Sequence, residues 1–599
     1  MYQPTIENVI NIANQGYNLI PIYREINADL ETPVSVYLKI ARDKYSFLLE
    51  SVEGGERQAR FSFIGCDPYK VIETGKGTIH GEVDPLNLIE SELCQYKAYP
   101  SEDLPRFVGG AVGYLSYDTI RYFEPRINLP EYDPIGIPES ILLLTDTVIV
   151  FDHIRHVIKI VSHVRTNGNI QENYNEAVYK IENILEDLSK SLTLDNSKDK
   201  KLLNFVPETK VNFELPEYSN IIEKCRDYII AGDVIQVVVS KRTTKTTQAH
   251  PFNIYRSLRK LNPSPYMYYL NFGDFNIIGA SPEALVRVED GFIYSYPLAG
   301  TSPRGSTNEQ DQEFENKLLA DEKERAEHIM LVDLARNDVG RVAQTGSVEV
   351  VDLMRIVKYS HVMHIESEVR GILREDCTIY DALRSCLPAG TLSGAPKVRA
   401  MEIIYEMEKA KRGPYGGAIG YFSFNGNMDT AIPIRTIVYK DNTAYIQAGG
   451  GIVFDSESES EYQETINKAS APLRAIENAD EFDNLYDKLV KLRHEIATTL
   501  GYKNFVELGY LRMGRSDYGP DEVANFRKQI VDHVVPIVTQ LLEQKKAILG
   551  LDHLYFYDGI NFKEGDPKPK GTPDELVSGA QNMYQELSPE TGEFFDIMV

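Results

Sequence analysis

Glu324-Arg-Ala-Glu-His-Ile-Met-Leu-Val-Asp-Leu-Ala-Arg-Asn-Asp338 places His328, Leu331, Val332 and Ala335 three or four positions apart, the spacing of one helix face. The pattern extends back through Leu318 and Leu319, so Glu309 to Gly340 is expected to be one long charged helix ending at Asn337-Asp338-Val339-Gly340. On either side the period changes from helical to two. Val234 to Ser240, Tyr266 to Leu270 and Ile277 to Gly279 read as strands, as does the alternating run Val362-Met-His-Ile-Glu-Ser-Glu-Val369. A helix precedes the first of them, at Ile221 to Ala231. Long helical patterns set among such strands indicate an α+β fold.

Further out, residues 1–188 mix short β-rich runs (Ser46 to Leu49, Ile141 to Phe151, His156 to Val161) with the turn cluster Glu53-Gly-Gly-Glu56, and close on a helix at Tyr174 to Leu188. They read as an α+β domain. Residues 189–211 are rich in Ser, Lys, Asp and Asn and read as a linker; residues 212–477 form the second region. From 478 to 599 the texture becomes charged amphipathic helix (Phe482 to Leu500, Asp521 to Ile548) with a loop at Gly565-Asp-Pro-Lys-Pro-Lys-Gly571. An internal echo joins Gly110-Ala-Val-Gly-Tyr-Leu-Ser-Tyr-Asp118 to Gly417-Ala-Ile-Gly-Tyr-Phe-Ser-Phe-Asn425, from strands in like environments or from duplication.

The 599 residues are 42% hydrophobic and 25% charged, the balance of a folded chain, and the net charge of -26 repels nucleic-acid phosphates and anionic membranes alike. No apolar run is long enough to span a bilayer, and the start lacks a basic region followed by an apolar one, so a cytoplasmic location is expected. Five scattered cysteines include no Cys-x-x-Cys pair and read as reduced structural thiols. Tryptophan is absent.

Glu324 and Glu327 share a helix face, and Glu461 and Glu464 repeat the spacing in Glu461 to Leu473. Each pair alone reads as solvated surface, but four carboxylates converging from two helices would suit Mg²⁺, a hard cation that prefers oxygen ligands. Before the second pair comes Ala448-Gly-Gly-Gly-Ile-Val453, either a tight turn or bare amides able to approach an anion. Arg435, in the apolar strand-like Thr430-Ala-Ile-Pro-Ile-Arg435, needs a carboxylate partner from a substrate or from the protein. His364, a lone strand histidine, reads by itself as structural.

Together these segments resemble the component I subunits of anthranilate synthase, in the chorismate-utilising family. The resemblance is carried by Asp233-Val-Ile-Gln-Val-Val-Val-Ser-Lys241, Ser281-Pro-Glu283, Pro297-Leu-Ala-Gly-Thr301, the helix quoted first, Pro388-Ala-Gly-Thr-Leu-Ser-Gly-Ala-Pro-Lys397, Asp429 to Thr436, and Gly449 to Lys468, in family order over residues 1–477. It implies a two-domain α+β fold with antiparallel sheets and flanking helices, an N-terminal regulatory part (1–188), a catalytic part (212–477), and conversion of chorismate and ammonia to anthranilate and pyruvate with Mg²⁺. By the same resemblance Glu324, Glu327, Glu461 and Glu464 hold the metal. Glu283 is the general acid for the departing C4 hydroxyl, and His364 assists that departure or the later proton removal. Arg435, Tyr415 and the amides of Gly449, Gly450 and Gly451 hold the enolpyruvyl carboxylate, while Gln236, Gly300, Thr301, Thr391 and Lys468 line the rest of the site.

Two positions separate relatives. Those that add water carry Lys where this chain has Gln236, and those making 4-amino-4-deoxychorismate tend to carry Lys where it has Ala299. Ammonia addition is therefore preferred, with aminodeoxychorismate synthesis the alternative. No Gly-x-Cys-x-Gly glutaminase elbow is present, so a separate glutamine amidotransferase subunit or free ammonia is implied as donor. Glu50 and Ser51 of Leu48-Leu-Glu-Ser51, with Asn262, Pro263, Ser264, Tyr266 and Met267, resemble the family's tryptophan feedback site, against the plainer reading of a strand end and a proline turn. An enzyme of tryptophan synthesis that contains no tryptophan could still be translated when tryptophan runs short; chance composition explains the same zero.

Residues 480–599 instead resemble an internal piece of an M3-family oligoendopeptidase, notably Leu500-Gly-Tyr-Lys-Asn-Phe-Val-Glu-Leu-Gly-Tyr510 and Leu587-Ser-Pro-Glu-Thr-Gly592. The His-Glu-x-x-His zinc motif is reduced to His494-Glu-Ile-Ala-Thr498, so no peptidase activity is expected and the tail reads as a non-catalytic extension or scaffold.

Overall fold

The computed structural model describes residues 2–29, 31–41, 44–51, 60–190, 206–359, 362–512, 520–551 and 572–587. The turn cluster at 53–56, most of the 189–211 linker, the 565–571 loop and residues 588–592 of the second tail motif lie outside them. Two compact units follow one another along the chain, Met1–Tyr486 and Asp487–Val599.

The first unit is built on two antiparallel sheets, of twelve and ten strands among the described residues. Phe47, Leu270 and Val438 of the larger sheet and Tyr114, Leu143 and Tyr421 of the smaller share one buried cluster, so the sheets pack face to face. Helices close the outer faces. Ile6–Ala13, Pro33–Ile40, Ile170–Ser189 and Pro251–Leu261 bury Val9, Val36, Ile181 and Leu258 on the larger sheet. Glu322–Gly340 and Ile379–Cys386 bury Val332, Val339 and Leu383 on the smaller one. The α+β class and the antiparallel sheets with flanking helices are those expected.

Residues 1–188 and 212–477 do not build separate sheets. Ser46–Glu50 pairs with Tyr266–Asn271 in the larger sheet, and Gly110–Leu115 pairs with Ala418–Ser423 in the smaller. That second pair is the internal echo: the two glycine-led segments are neighbouring strands, Gly113 opposite Gly420. A Cβ on Gly113 would stand 1.9 Å from the Ile141 carbonyl oxygen of the next strand, which explains why a glycine recurs there.

The long helix expected over Glu309 to Gly340 is two, Asn308–Ala320 and Glu322–Gly340. The Asp321 carboxylate accepts from the amides of Lys323 and Glu324 and caps the second, so the chain restarts at a local signal inside a helical pattern. Conversely, the pieces read at Glu461 to Leu473 and Phe482 to Leu500 belong to one helix, Ser458–Thr499, which contains Pro472. Thr430 to Arg435 is a strand only as far as Ala431; Ile432 to Arg435 is a connection, and Arg435 has φ 50°. The three glycines 449–451 are extended, inside the strand Thr443–Ile452, not in a turn.

In the second unit the described residues form Phe505–Arg512, Pro520–Gln529, a π-helical turn at Ile530–Val534, Val535–Leu549 and Pro573–Leu587. The helix expected as Asp521 to Ile548 is thus interrupted by the π turn. No helix among the described residues is long and apolar enough to cross a membrane.

Candidate active site

The strand Gln236–Thr246 runs antiparallel to Thr443–Ile452, bringing Gln236 beside the glycine run. A Cβ on Gly451 would stand 2.2 Å from Nε2 of Gln236, and one on Gly450 would stand 2.7 Å from Oε2 of Glu461. Only glycine lets an amide and a carboxylate lie this close to the strand. Lys468, from the helix that carries Glu461, donates to the Gly449 carbonyl at 3.0 Å and pairs with Glu464 at 2.6 Å.

Glu324 reaches the same space from the helix Glu322–Gly340. Its carboxyl is pushed above the usual range by burial first, then by the charges of Glu327 and Asp321, with Glu464 of the other helix contributing. Glu461 is likewise pushed up, by burial first and with Glu464 adding to it, and its Oε2 is buried without a hydrogen-bond partner. The expected four-carboxylate set faces itself across two helices but is not drawn together: among the described residues no three acidic, His or Cys side chains gather as an ion-binding group. Like charges hold each other apart, and Lys468 neutralises one of them. The donor chemistry fits a hard divalent cation, since the ligands are oxygens and one is buried and unsatisfied.

Glu283 follows the strand Phe275–Ser281; Ser281 Oγ accepts from its amide at 3.2 Å and Ile432 donates to its carbonyl at 3.1 Å. Its carboxylate accepts from the Thr391 hydroxyl at 2.9 Å. Burial raises its pKa to about 7, against the opposing pull of that hydrogen bond and of Lys468 and Arg435. Arg435 is itself half-buried, its pKa depressed by desolvation and partly restored by Glu283. Its left-handed backbone is the kind of strained conformation that gathers at functional sites.

His364, on Val362–Ile372, is opposite Thr301 in register. Its Nδ1 donates to the Gly300 carbonyl at 2.9 Å, with the Thr301 hydroxyl at 3.1 Å. That bond fixes the tautomer, leaving Nε2 as the lone-pair nitrogen, buried and without a partner. Burial lowers the pKa to about 4, with Arg435 adding to the shift, so the ring is neutral near pH 7. Glu324 lies against Gly300, closing the circuit: a Cβ there would stand 3.1 Å from Glu324 Oε2. Tyr415 is buried beside Arg412, its hydroxyl raised by burial and sensing Glu464.

A second cluster forms where Glu50 and Met267 face each other across neighbouring strands. Glu50, Ser51, Tyr266 and Met267 line a cavity between the two sheets. Asn262, Pro263 and Ser264 are not among its lining residues, because they form the turn leading into Tyr266–Asn271. The sequence reading missed Arg106, Arg287, Tyr421 and Asp429, which complete the wall; Tyr266 donates to Asp429 at 3.0 Å. Arg287 and Asp429 are charges flanked by apolar residues in buried strands, the signal that could have found them.

Residues 44–474 match the family of chorismate binding enzymes. The chain belongs to the chorismate binding enzyme family. It is 50% identical over 495 residues to anthranilate synthase component 1 of Acetivibrio thermocellus, a match covering 80% of this chain and all of that one. It is 48% identical over 482 residues to the probable anthranilate synthase component 1 of Schizosaccharomyces pombe, covering 80% and 97%. The crystal structure of anthranilate synthase component I from Streptococcus pneumoniae TIGR4 superposes with a TM-score of 0.62 at 38% identity, covering 75% of this chain and 99% of that one. Residues 459–588 match peptidase family M3 as well, overlapping the chorismate binding match by one stretch of helix.

Arg435→Met tests the carboxylate-binding role expected of this guanidinium: loss of charge-assisted hydrogen bonds to an anion, worth about 1.5–3 kcal/mol, would raise the chorismate KM by about 10- to 100-fold in steady-state kinetics.

Proposed function

We propose that this chain converts chorismate and ammonia to anthranilate and pyruvate, as a Mg²⁺-dependent lyase working in the cytoplasm. The observation that carries the reading is Glu283: a buried carboxyl held near pKa 7, oriented by Thr391, with Arg435 and Lys468 near enough to offset its charge. Half-protonated at neutral pH, it can deliver a proton to the C4 hydroxyl as ammonia adds at C2, giving water and an amino-substituted diene. His364, neutral with a free Nε2, then suits removal of the C2 proton while the enolpyruvyl group leaves as pyruvate and the ring becomes aromatic.

Glu324, Glu327, Glu461 and Glu464 would hold Mg²⁺, which supplies charge neutralisation for the ring carboxylate. In a chain of net charge -26, a dianionic substrate needs that cation together with Arg435 and Lys468. Gln236 cannot deprotonate water as a lysine there could, which favours ammonia as nucleophile. Gln236→Lys therefore diverts part of the product to isochorismate, read by chromatography of the reaction mixture; unchanged product would count against this nucleophile selection. A separate glutamine amidotransferase subunit would supply the ammonia.

The inter-sheet cavity at Glu50, Ser51, Tyr266 and Met267 supports feedback inhibition by tryptophan, with residues 1–188 as the regulatory part. The Glu50 carboxylate is held by Arg259 at 2.9 Å and by the Tyr255 hydroxyl, both on the helix Pro251–Leu261, which fixes the strand that lines the cavity. Glu50→Gln raises the tryptophan concentration for half-inhibition by about tenfold or more; an unchanged value would remove Glu50 from the site. The second unit is proposed as a non-catalytic extension, since Thr498 stands where a second zinc-binding histidine would be needed.

A further inference from the structure

Arg412 is fully buried, yet each of its three guanidinium nitrogens finds an acceptor. Nε donates to Glu408 Oε2 at 2.9 Å, Nη1 to the Leu392 carbonyl at 2.8 Å, and Nη2 to the Val238 carbonyl at 2.7 Å and to Glu408 Oε1. Its Cζ lies 4.6 Å from the ring centroid of Tyr117 and 5.7 Å from that of Tyr415. Glu408 in turn accepts from the amide and hydroxyl of Ser240, at 2.7 and 2.8 Å.

These bonds tie together three segments that carry candidate site residues. Leu392 ends the 3-10 turn Gly390–Leu392, which presents Thr391; Val238 and Ser240 belong to the strand that starts at Gln236; Tyr415 follows three residues after Arg412. A buried ion pair is a poor way to gain stability, because desolvating both charges offsets most of their attraction. What a guanidinium offers is a rigid fork, aiming separate N–H groups at carbonyls on separate elements.

We propose that Arg412 is a positioning residue: by holding the Leu392 and Val238 carbonyls on one guanidinium, it fixes the Thr391 hydroxyl against Glu283. The inference rests on Glu283 being the general acid. Arg412 does not itself touch the reacting space; it acts through the turn.

The test is a double-mutant cycle with Thr391→Val, read as anthranilate formation. Arg412→Lys keeps the charge but cannot reach both carbonyls. The expected result is a kcat lowered about tenfold with the chorismate KM within about twofold, and no further loss when Arg412→Lys is added to Thr391→Val. Losses that multiply in the double variant, or a chorismate KM that carries the whole effect, would overturn it. Should Arg412→Lys fail to fold, Arg412→Gln with Glu408→Gln leaves no unpaired buried charge and takes its place in the same cycle. A crystal structure of the variant gives an arm independent of turnover: the Thr391 hydroxyl is expected to have left Glu283, and an intact bond would overturn the proposal. A wild-type chain that makes no anthranilate would count against the reading of Glu283, and the crystallographic arm would still decide the positioning claim.

Discussion

Glu283→Gln lowers kcat for anthranilate formation by about 10²- to 10⁴-fold, the range for losing a positioned general acid, and leaves the chorismate KM within a few-fold. The amide keeps the Thr391 contact but has no acidic proton to give. The wild-type rate, expressed per free ammonia, falls as pH rises through about 7, because the protonated carboxyl is the active form. The same substitution has the opposite effect on stability. Since the folded pKa of about 7 lies above the ordinary 4.5, the native state binds the proton more tightly, and stability is lost as pH rises across that window. Glu283→Gln therefore raises the melting temperature relative to wild type at pH 8 and not at pH 4.5. A variant that keeps its activity, or that gains no stability at pH 8, would remove Glu283 from the acid role.

Glu461→Gln raises the Mg²⁺ concentration needed for half-maximal activity by about tenfold or more. Its Oε2 is a buried acceptor with no partner, and a neutral amide in its place both weakens a cation site and relieves the charge repulsion with Glu464. Calorimetric titration of Mg²⁺ into the chain with and without the substitution reads the same loss directly, independent of turnover. Equal affinities would show that the ion is held elsewhere. Glu457, which immediately precedes the helix Ser458–Thr499 and is exposed, is a suitable control carboxylate.

Much of the fold was legible because the sheets are apolar strands of ordinary period two, and because the two glycine-led segments that echo one another in sequence proved to be neighbours in one sheet. What sequence could not give was long-range pairing: nothing local says that Ser46–Glu50 pairs with Tyr266–Asn271, so the chain looks like two consecutive halves where the sheets interleave them. Element boundaries failed where one polar side chain outweighs a periodic pattern, as at Asp321. In the site, motif residues such as Glu283, Thr391 and His364 were found by resemblance. Their roles came with that resemblance, but the protonation states that suit them did not, because a pKa near 7 for Glu283 and a free Nε2 on His364 come from burial and from partners distant in sequence. Arg412 was invisible for a related reason: an arginine on paper is a surface residue until bonds to two distant carbonyls, of Leu392 and Val238, show otherwise.

The central claim is tested most directly by incubating the purified full-length chain with chorismate, Mg²⁺ and ammonium at mildly alkaline pH and following fluorescence. The account predicts anthranilate appearing in step with pyruvate and abolished by chelation of Mg²⁺. A folded chain that binds chorismate and yields no anthranilate, or that accumulates 4-amino-4-deoxychorismate instead, would contradict it.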